Sequence, residues 1–410
     1  MKLILLAALL AAGPVHAAMI HVGPGADAQE RLQTALIDAK PGDTVHIAAG
    51  RYPLANGLSL DVAGVTVKGD GAGKTILDFI GQKGEGEGLL VTSNDVTLRD
   101  FAIENAAGNG IKSKGADGIS FVDLRVEWTG GPKSTNGAYG VYPVTSKHVL
   151  IDRVFVKGAS DAGIYVGQSQ QIVVRNSRAE GNVAGIEIEN SFNADVHDNV
   201  ATGNTGGILV FDLPDLPQQG GHAIRLFRNQ VTANNHANFA APGNIVANVP
   251  SGTGIMVMAN RDVHVFDNDI KDNHGNAVMI VAYSQKFTDK GYNPLPRAVA
   301  VSGNRYAGNG TAPVFKGGTQ IAAAVGGTLP PVMWDGINTF VVPGTIPGGT
   351  VSEAQGGIRV TDGPVLNLNL KVHGTPPTAA QPAVTPGLAL AAWDQPATVV
   401  LPPAQETRAR

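Results

Sequence analysis

The stretch "GIEIENSFNADVHDNVATGN", residues 185–204, holds both signals that decide the fold. Ile186 and Ile188 alternate with Glu187 and Glu189, a two-residue period that predicts a strand with one buried and one outward face. Asn199 and Asn204 close the stretch as an Asn-x4-Asn pair. Both signals recur along the chain. Gly-aliphatic-x-aliphatic segments start at Gly88 (GLLVTS), Gly110 (GIKSKG), Gly140 (GVYPVT), Gly163 (GIYVGQ), Gly185, Gly207 (GILVFD) and Gly254 (GIMVMA), spaced by 22, 30, 23, 22, 22 and 47 residues. A period near 22 with insertions confined to certain turns marks a solenoid.

The asparagine marker runs in phase at Asn229/Asn234, Asn268/Asn273 and Asn304/Asn309, with Asp100/Asn105 and Ser177/Asn182 as variants. Short β-branched runs such as "QIVVRN" and "DVHVFDN" lie between the markers. Each period therefore holds about three short strands, and successive copies stack as parallel strands roughly 4.8 Å apart. The asparagines read as turn residues and internal hydrogen-bonded ladders.

Composition agrees. The 410 residues include 53 glycines, 16% charged and 5% aromatic residues, a profile of a turn-rich β protein. A net charge of −4 with no long block of either sign argues against a nucleic-acid partner. Lys2, an apolar run from Leu3 to Ala12 and the small-residue site Val15-His16-Ala17 predict a secretory signal peptide over 1–17 and a periplasmic or secreted protein. That run is too short to span a membrane, and no later segment is long enough. With no cysteine there is no disulfide framework and no thiolate metal site.

These repeats resemble the right-handed parallel β-helix of pectate lyases and alginate C5-epimerases. "GASDAGIYVGQS", "AGIEIENS" and "GGILVFDLP" further resemble an uncharacterised family of exported bacterial β-helix repeat proteins, which brings no activity with it. The fold class expected is thus all-β, a right-handed parallel β-helix solenoid of about ten rungs over 57–310. An N-terminal cap is expected over 18–56, with an Asp27/Glu30 capping pair and Ala28, Leu32, Ala35, Leu36 and Ala39 on one helical face. Residues 311–373 read as C-terminal strands or a cap, and 374–410 as a disordered Pro/Ala-rich tail.

Alternation places two columns outward on the Gly-initiated sheet: Leu90, Lys112, Tyr142, Tyr165, Glu187, Leu209, Met256 and Val278, then Thr92, Lys114, Val144, Gly167, Glu189, Phe211, Met258 and Ile280. Insertions at 129–139, 212–222, 236–253 and 282–296 should wall this face into a groove. Lys112, Lys114, Glu187, Glu189, Phe211, Met256 and Met258 are its expected substrate contacts, and an acidic polysaccharide suits them. Lyase or epimerase chemistry needs a base for the C5 proton and an acid opposite. Tyr142 and Tyr165 qualify only if neighbouring cations depress their pKa.

Glu187 and Glu189 otherwise read as outward glutamates, solvated or bonded to a loop, and His197 and His264 as surface histidines. A calcium site drawing on Glu187, Glu189, Asp212 and Asp215 is the metal alternative. The epimerase motif Tyr-Gly-Phe-Asp-Pro-His-Asp aligns with "YGVYPVT", where Tyr139, Gly140 and Pro143 match. Tyr142, Val144 and Thr145 replace its Asp, His and second Asp, so that mechanism is not expected. The competing class is a non-catalytic periplasmic binding, maturation or scaffold protein that takes an exported protein partner at the groove's apolar end.

Overall fold

A computed structural model describes residues 17–84, 86–344, 350–352, 357–374, 382–389 and 394–409. The predicted signal peptide lies, Ala17 excepted, outside the described residues. The chain is a parallel β-helix, and residues 184–204 make one full turn of it. Ala184–Glu189 joins a 12-stranded glycine sheet, Phe192–His197 a 13-stranded long sheet, and Val200–Thr202 a 10-stranded narrow sheet, before Gly206–Phe211 starts the next turn. The register is parallel from rung to rung: Ile186 sits over Ile164 and under Ile208. Inward aliphatics of the three sheets merge into one core along the axis.

The glycine marker has a steric cause. A Cβ at Gly185 would stand 2.6 Å from the Gly207 carbonyl oxygen and 2.8 Å from Asn204 Nδ2. Only a residue without a side chain lets the next rung's backbone and the ladder approach so closely. Two asparagine ladders run up the core. One passes from Ser177 through Asn199, Asn229 and Asn268 to Asn304, the other from Asn182 through Asn204, Asn234 and Asn273 to Asn309.

Helix α1 (Ala28–Asp38) packs Leu32, Ala35 and Leu36 on the first rungs, as its pattern predicts. The Asp27/Glu30 capping pair does not form: Asp27 makes no side-chain cap bond and instead pairs with Arg31 at 3.0 Å. Stacking also continues past Asn309, because Val332–Trp334, Ile358–Val360 and Val365–Asn367 add parallel strands.

The expected disordered tail is corrected over its described part. Val399 and Leu401 are buried on Val122, Leu150 and Val173 of the long sheet. Gln405 Nε2 donates to the carbonyls of Ile119 (2.9 Å) and His148 (2.8 Å), and Arg175 pairs with Glu406 at 2.9 Å. A few apolar side chains in a Pro-rich segment suffice because the apolar face they cover is already built. Residues 375–381 and 390–393 lie outside the described residues.

Candidate active site on the glycine sheet

Strand pairing puts Leu90, Lys112 and Tyr142 in one outward column, then Tyr165, Glu187, Leu209 and Met256, in the order expected. The last rung is corrected. Val278 pairs with Ile255 and faces the core with Ile280, so Met279 and Val281 continue the two columns. Ala277 stands where a glycine marks the other rungs, and a one-residue slip exchanges the faces of a strand.

The column is not solvated. Glu187 and Glu189 are 1% and 6% exposed, and Tyr165, Leu209, Phe211, Met256 and Met258 are buried too. The insertions wall the sheet and then fold over it. Val246 and Val249 from the 236–253 insertion and Tyr292 from 282–296 pack with Leu209, Phe211 and the methionines in a second apolar cluster. Phe211, Met256 and Met258 are therefore not an open groove floor. They line a cavity of about 260 Å³ together with Val249, Met279 and the buried Asp335, and it reaches the surface at the exposed Asn248 and Ser284. The face stays open lower down, where Lys112 and Tyr142 are half-exposed and Lys114 and Thr92 are exposed.

Where the open and covered parts meet, aromatic rings and carboxyls converge. Tyr139, Tyr142 and Tyr165 form a triangle with ring centroids 4.4–4.9 Å apart. Tyr165 lies across Gly167, where a Cβ would come within 2.7 Å of its Oη. That empty space lets Tyr165 Oη reach the next rung and donate to Glu189 Oε1 at 2.6 Å. Asp161, in the turn before the strand Ala162–Gly167, accepts from Asn244 Nδ2 at 2.8 Å. Glu187 has both carboxyl oxygens buried without a hydrogen-bond partner.

Burial governs the protonation of this cluster. It pushes Asp161 up to about 7 and Glu189 up to about 7, and it raises Glu187 well above its ordinary 4.5, with the Glu189 charge adding to the effect. Among the described residues no lysine or arginine pairs with any of the three. An uncompensated buried carboxylate costs several kcal/mol, so the neutral acid is the favoured form.

A consequence for stability follows. Below their ordinary pKa these groups are protonated both folded and unfolded. As pH rises the unfolded chain ionises first, so stability falls by about 1.4 kcal/mol per pH unit per proton until the folded groups ionise too. Glu187→Gln removes one such proton. Its urea-unfolding free energy should decline less steeply than wild type between about pH 5 and 7. Parallel curves for the two proteins would show that Glu187 is not held neutral.

The condition set for Tyr142 and Tyr165 as base and acid, a pKa depressed by neighbouring cations, is not met. Burial pushes Tyr142 up to about 12 and raises Tyr165 well above 10, with Glu189 acting in the same direction. Neither carries the lowered pKa that a tyrosinate base near neutrality requires. Lys112 is engaged as well: its Nζ lies 3.2 Å from Glu87 and 5.1 Å from the centre of the Tyr142 ring. The calcium set does not converge. Asp212 accepts from the Gly220 and Gly221 amides at 3.2 and 2.9 Å, and Asp215 is exposed in its turn. Among the described residues no group of three or more His, Cys, Asp or Glu could hold a metal ion.

Asp161 and Asn244 were not legible as site residues. They are 83 residues apart, and the only sign at Asp161 is that the turn positions before the next two glycine strands are Val183 and Thr205 rather than acids.

Fold and site together define a right-handed parallel β-helix with an acid and tyrosine cluster on one sheet. A family model described as a right handed beta helix region matches residues 63–216. No curated protein matches the chain in sequence. Among solved structures, the A-module of a mannuronan C-5 epimerase from Azotobacter vinelandii is similar at 16% identity and a TM-score of 0.51, over 85% of this chain and 92% of that one. A lacto-N-biosidase from Eubacterium ramulus gives 12% identity and 0.51, over 87% and 68%. A DFA-IIIase from Arthrobacter chlorophenolicus, without its lid, gives 12% and 0.50, over 84% and 98%. At these identities the likeness is one of fold.

Proposed function

We propose that the chain is an exported carbohydrate-active protein. It holds an acidic polysaccharide on the open lower rungs of the glycine sheet and exchanges a proton with it at the carboxyl cluster where that surface ends. Glu189 carries the reading: a buried carboxyl poised at about 7, bonded to Tyr165 Oη and approached from half-exposed Tyr142 through the Tyr165 ring. A proton donor works best with a pKa near the working pH. Lys112 and the exposed Lys114 supply positive charge beside the path, and the Tyr142 ring supplies an apolar face for a sugar.

Two of the similar structures bear the names of carbohydrate-acting enzymes, a mannuronan epimerase and a lacto-N-biosidase, which supports the reading through the fold. In "YGVYPVT" Tyr142, Val144 and Thr145 stand in place of the Asp, His and second Asp of the epimerase-family motif that it resembles, so this reading gives proton transfer to the carboxyls. The leader-like residues Lys2 and Leu3–Ala12 support export.

A second reading, binding without turnover, is favoured by one observation: at 1% and 6% exposure Glu187 and Glu189 need a movement of the covering tyrosines or loops before a glycan can touch them. The test is a panel of alginate, polygalacturonate and neutral glycans incubated with purified protein. Ultraviolet absorbance reports elimination, new reducing ends report hydrolysis, proton NMR reports epimerisation, and calorimetry reports binding. Turnover of a uronate polymer is the expected result. Binding with no chemistry selects the second reading, and neither binding nor chemistry on any glycan removes both.

A further inference from the structure

The long sheet carries a second outward column far from the carboxyl cluster. Asp195, Arg225, His264, Ala300 and Arg359 stand in register on consecutive rungs. Four of these five side chains are long or charged. Ala300 is not, and the volume it leaves between His264 and Arg359 is part of a cavity of about 270 Å³. Ser302, the exposed Thr361 and the exposed Gln395 of the C-terminal segment complete its lining.

The lining is polar and unsatisfied. His264, read from the sequence as a surface histidine, is 5% exposed, and its Nε2 has no hydrogen-bond partner. Asp262 Oδ1, at 3.6 Å, is beyond hydrogen-bond reach. Arg359 is half-buried and has no ion-pair partner among the described residues. The column's other cation is already neutralised: Arg225 Nε donates to Asp195 Oδ1 at 2.7 Å, and the Val399 amide donates to Asp195 Oδ2 at 3.1 Å. Asp195 is thus committed to Arg225 and does not reach up the column.

A buried ring nitrogen without a hydrogen-bond partner is costly, and the half-exposed Arg359 beside it is a cation free to pair, so one anionic ligand can engage both. Two strand spacings, roughly 9.6 Å between the backbones of His264 and Arg359, leave room for one small group between the side chains. We infer that this cavity binds a small oxyanion, a carboxylate or phosphate group, between the Arg359 guanidinium and His264, with the Ser302 and Thr361 hydroxyls and the Gln395 amide as further donors. A planar, five-donor guanidinium is suited to bidentate recognition of such a group. The C-terminal segment then has a part in binding as well as in packing, because it supplies Gln395.

Sodium galacturonate, galactose and inorganic phosphate are titrated separately into the full-length protein by calorimetry, with Arg359→Gln and His264→Gln as variants. Arg359 is half-exposed, and circular dichroism and the unfolding midpoint check that both variants fold. Millimolar or tighter binding of galacturonate, phosphate or both is expected, with galactose inert and Arg359→Gln at least tenfold weaker. Preference for galacturonate assigns the anion to a uronate sugar, and preference for phosphate assigns it to a free anion. Wild-type protein that binds neither anion overturns the inference, as does galactose binding equally well or affinity unchanged in both folded variants.

Discussion

Asn204→Ala is expected to destabilise the protein by about 3–5 kcal/mol. Asn204 Oδ1 accepts from the backbone amide of Asn182 at 2.9 Å and from its Nδ2 at 3.0 Å. Its own Nδ2 donates to the Ala179 carbonyl at 3.1 Å and to Asn234 Oδ1 at 2.9 Å. All four residues are fully buried, so no water replaces what alanine removes. Each orphaned buried group costs about 1–3 kcal/mol, and at least two are created, the Asn182 amide and the Ala179 carbonyl. Asn309 at the ladder's end is 8% exposed; its Oδ1 accepts from the Asn273 amide at 3.1 Å and from Asn273 Nδ2 at 3.0 Å, and among the described residues its Nδ2 donates only to the Ile270 carbonyl, at 2.8 Å. Asn309→Ala orphans the Asn273 amide and the Ile270 carbonyl in the same way and should cost about 1 kcal/mol less than Asn204→Ala, the worth of the one onward Asn–Asn bond that it lacks. Urea unfolding of both variants measures the difference. A central cost no larger than the terminal one would mean that the onward bond from Asn204 Nδ2 to Asn234 Oδ1 is worth little.

These ladders were legible because a repeat writes the same contact many times. Gly185, Asn204 and their copies recur at one period, and the tight approach of Asn204 Nδ2 to Gly185 explains why the two markers stay in phase. The direction of Tyr165, Glu187 and Glu189 was legible for the same reason, since strand alternation is local. Their burial was not. It depends on Asn244, Val246, Val249 and Tyr292, which come from insertions with no period of their own and return from 50 to 130 residues downstream of the carboxyls or Tyr165. A sequence pattern reports which way a side chain points from its own strand, whereas what lies above it is set by contacts between distant segments. The slip at Val278 and Ile280 has the complementary cause. Once alanine replaced glycine at 277 the marker no longer fixed the phase, although the packing did.

Glu189→Gln is expected to lower kcat on the productive glycan by 10²–10⁴-fold while leaving KM within a few-fold of wild type. The substitution is close to isosteric, and a glutamine carbonyl can still accept from Tyr165 Oη, whose bond to Glu189 Oε1 is 2.6 Å. Rotamer and packing are therefore kept while the exchangeable proton is lost. With Glu189 as proton donor, the wild-type rate should hold below about pH 7 and fall above it as the carboxyl ionises, the value to which burial pushes Glu189. Tyr165→Phe removes a hydrogen bond that favours the ionised form of Glu189, which raises its pKa further. That variant should keep substantial activity and carry the alkaline limb to higher pH. A role confined to packing would give a different pattern, with both variants losing stability and neither moving the limb. If Glu189→Gln retains wild-type kcat, Glu189 is not the donor, and Asp161, also pushed up to about 7 by burial, and Glu187 are the carboxyls left to supply the proton.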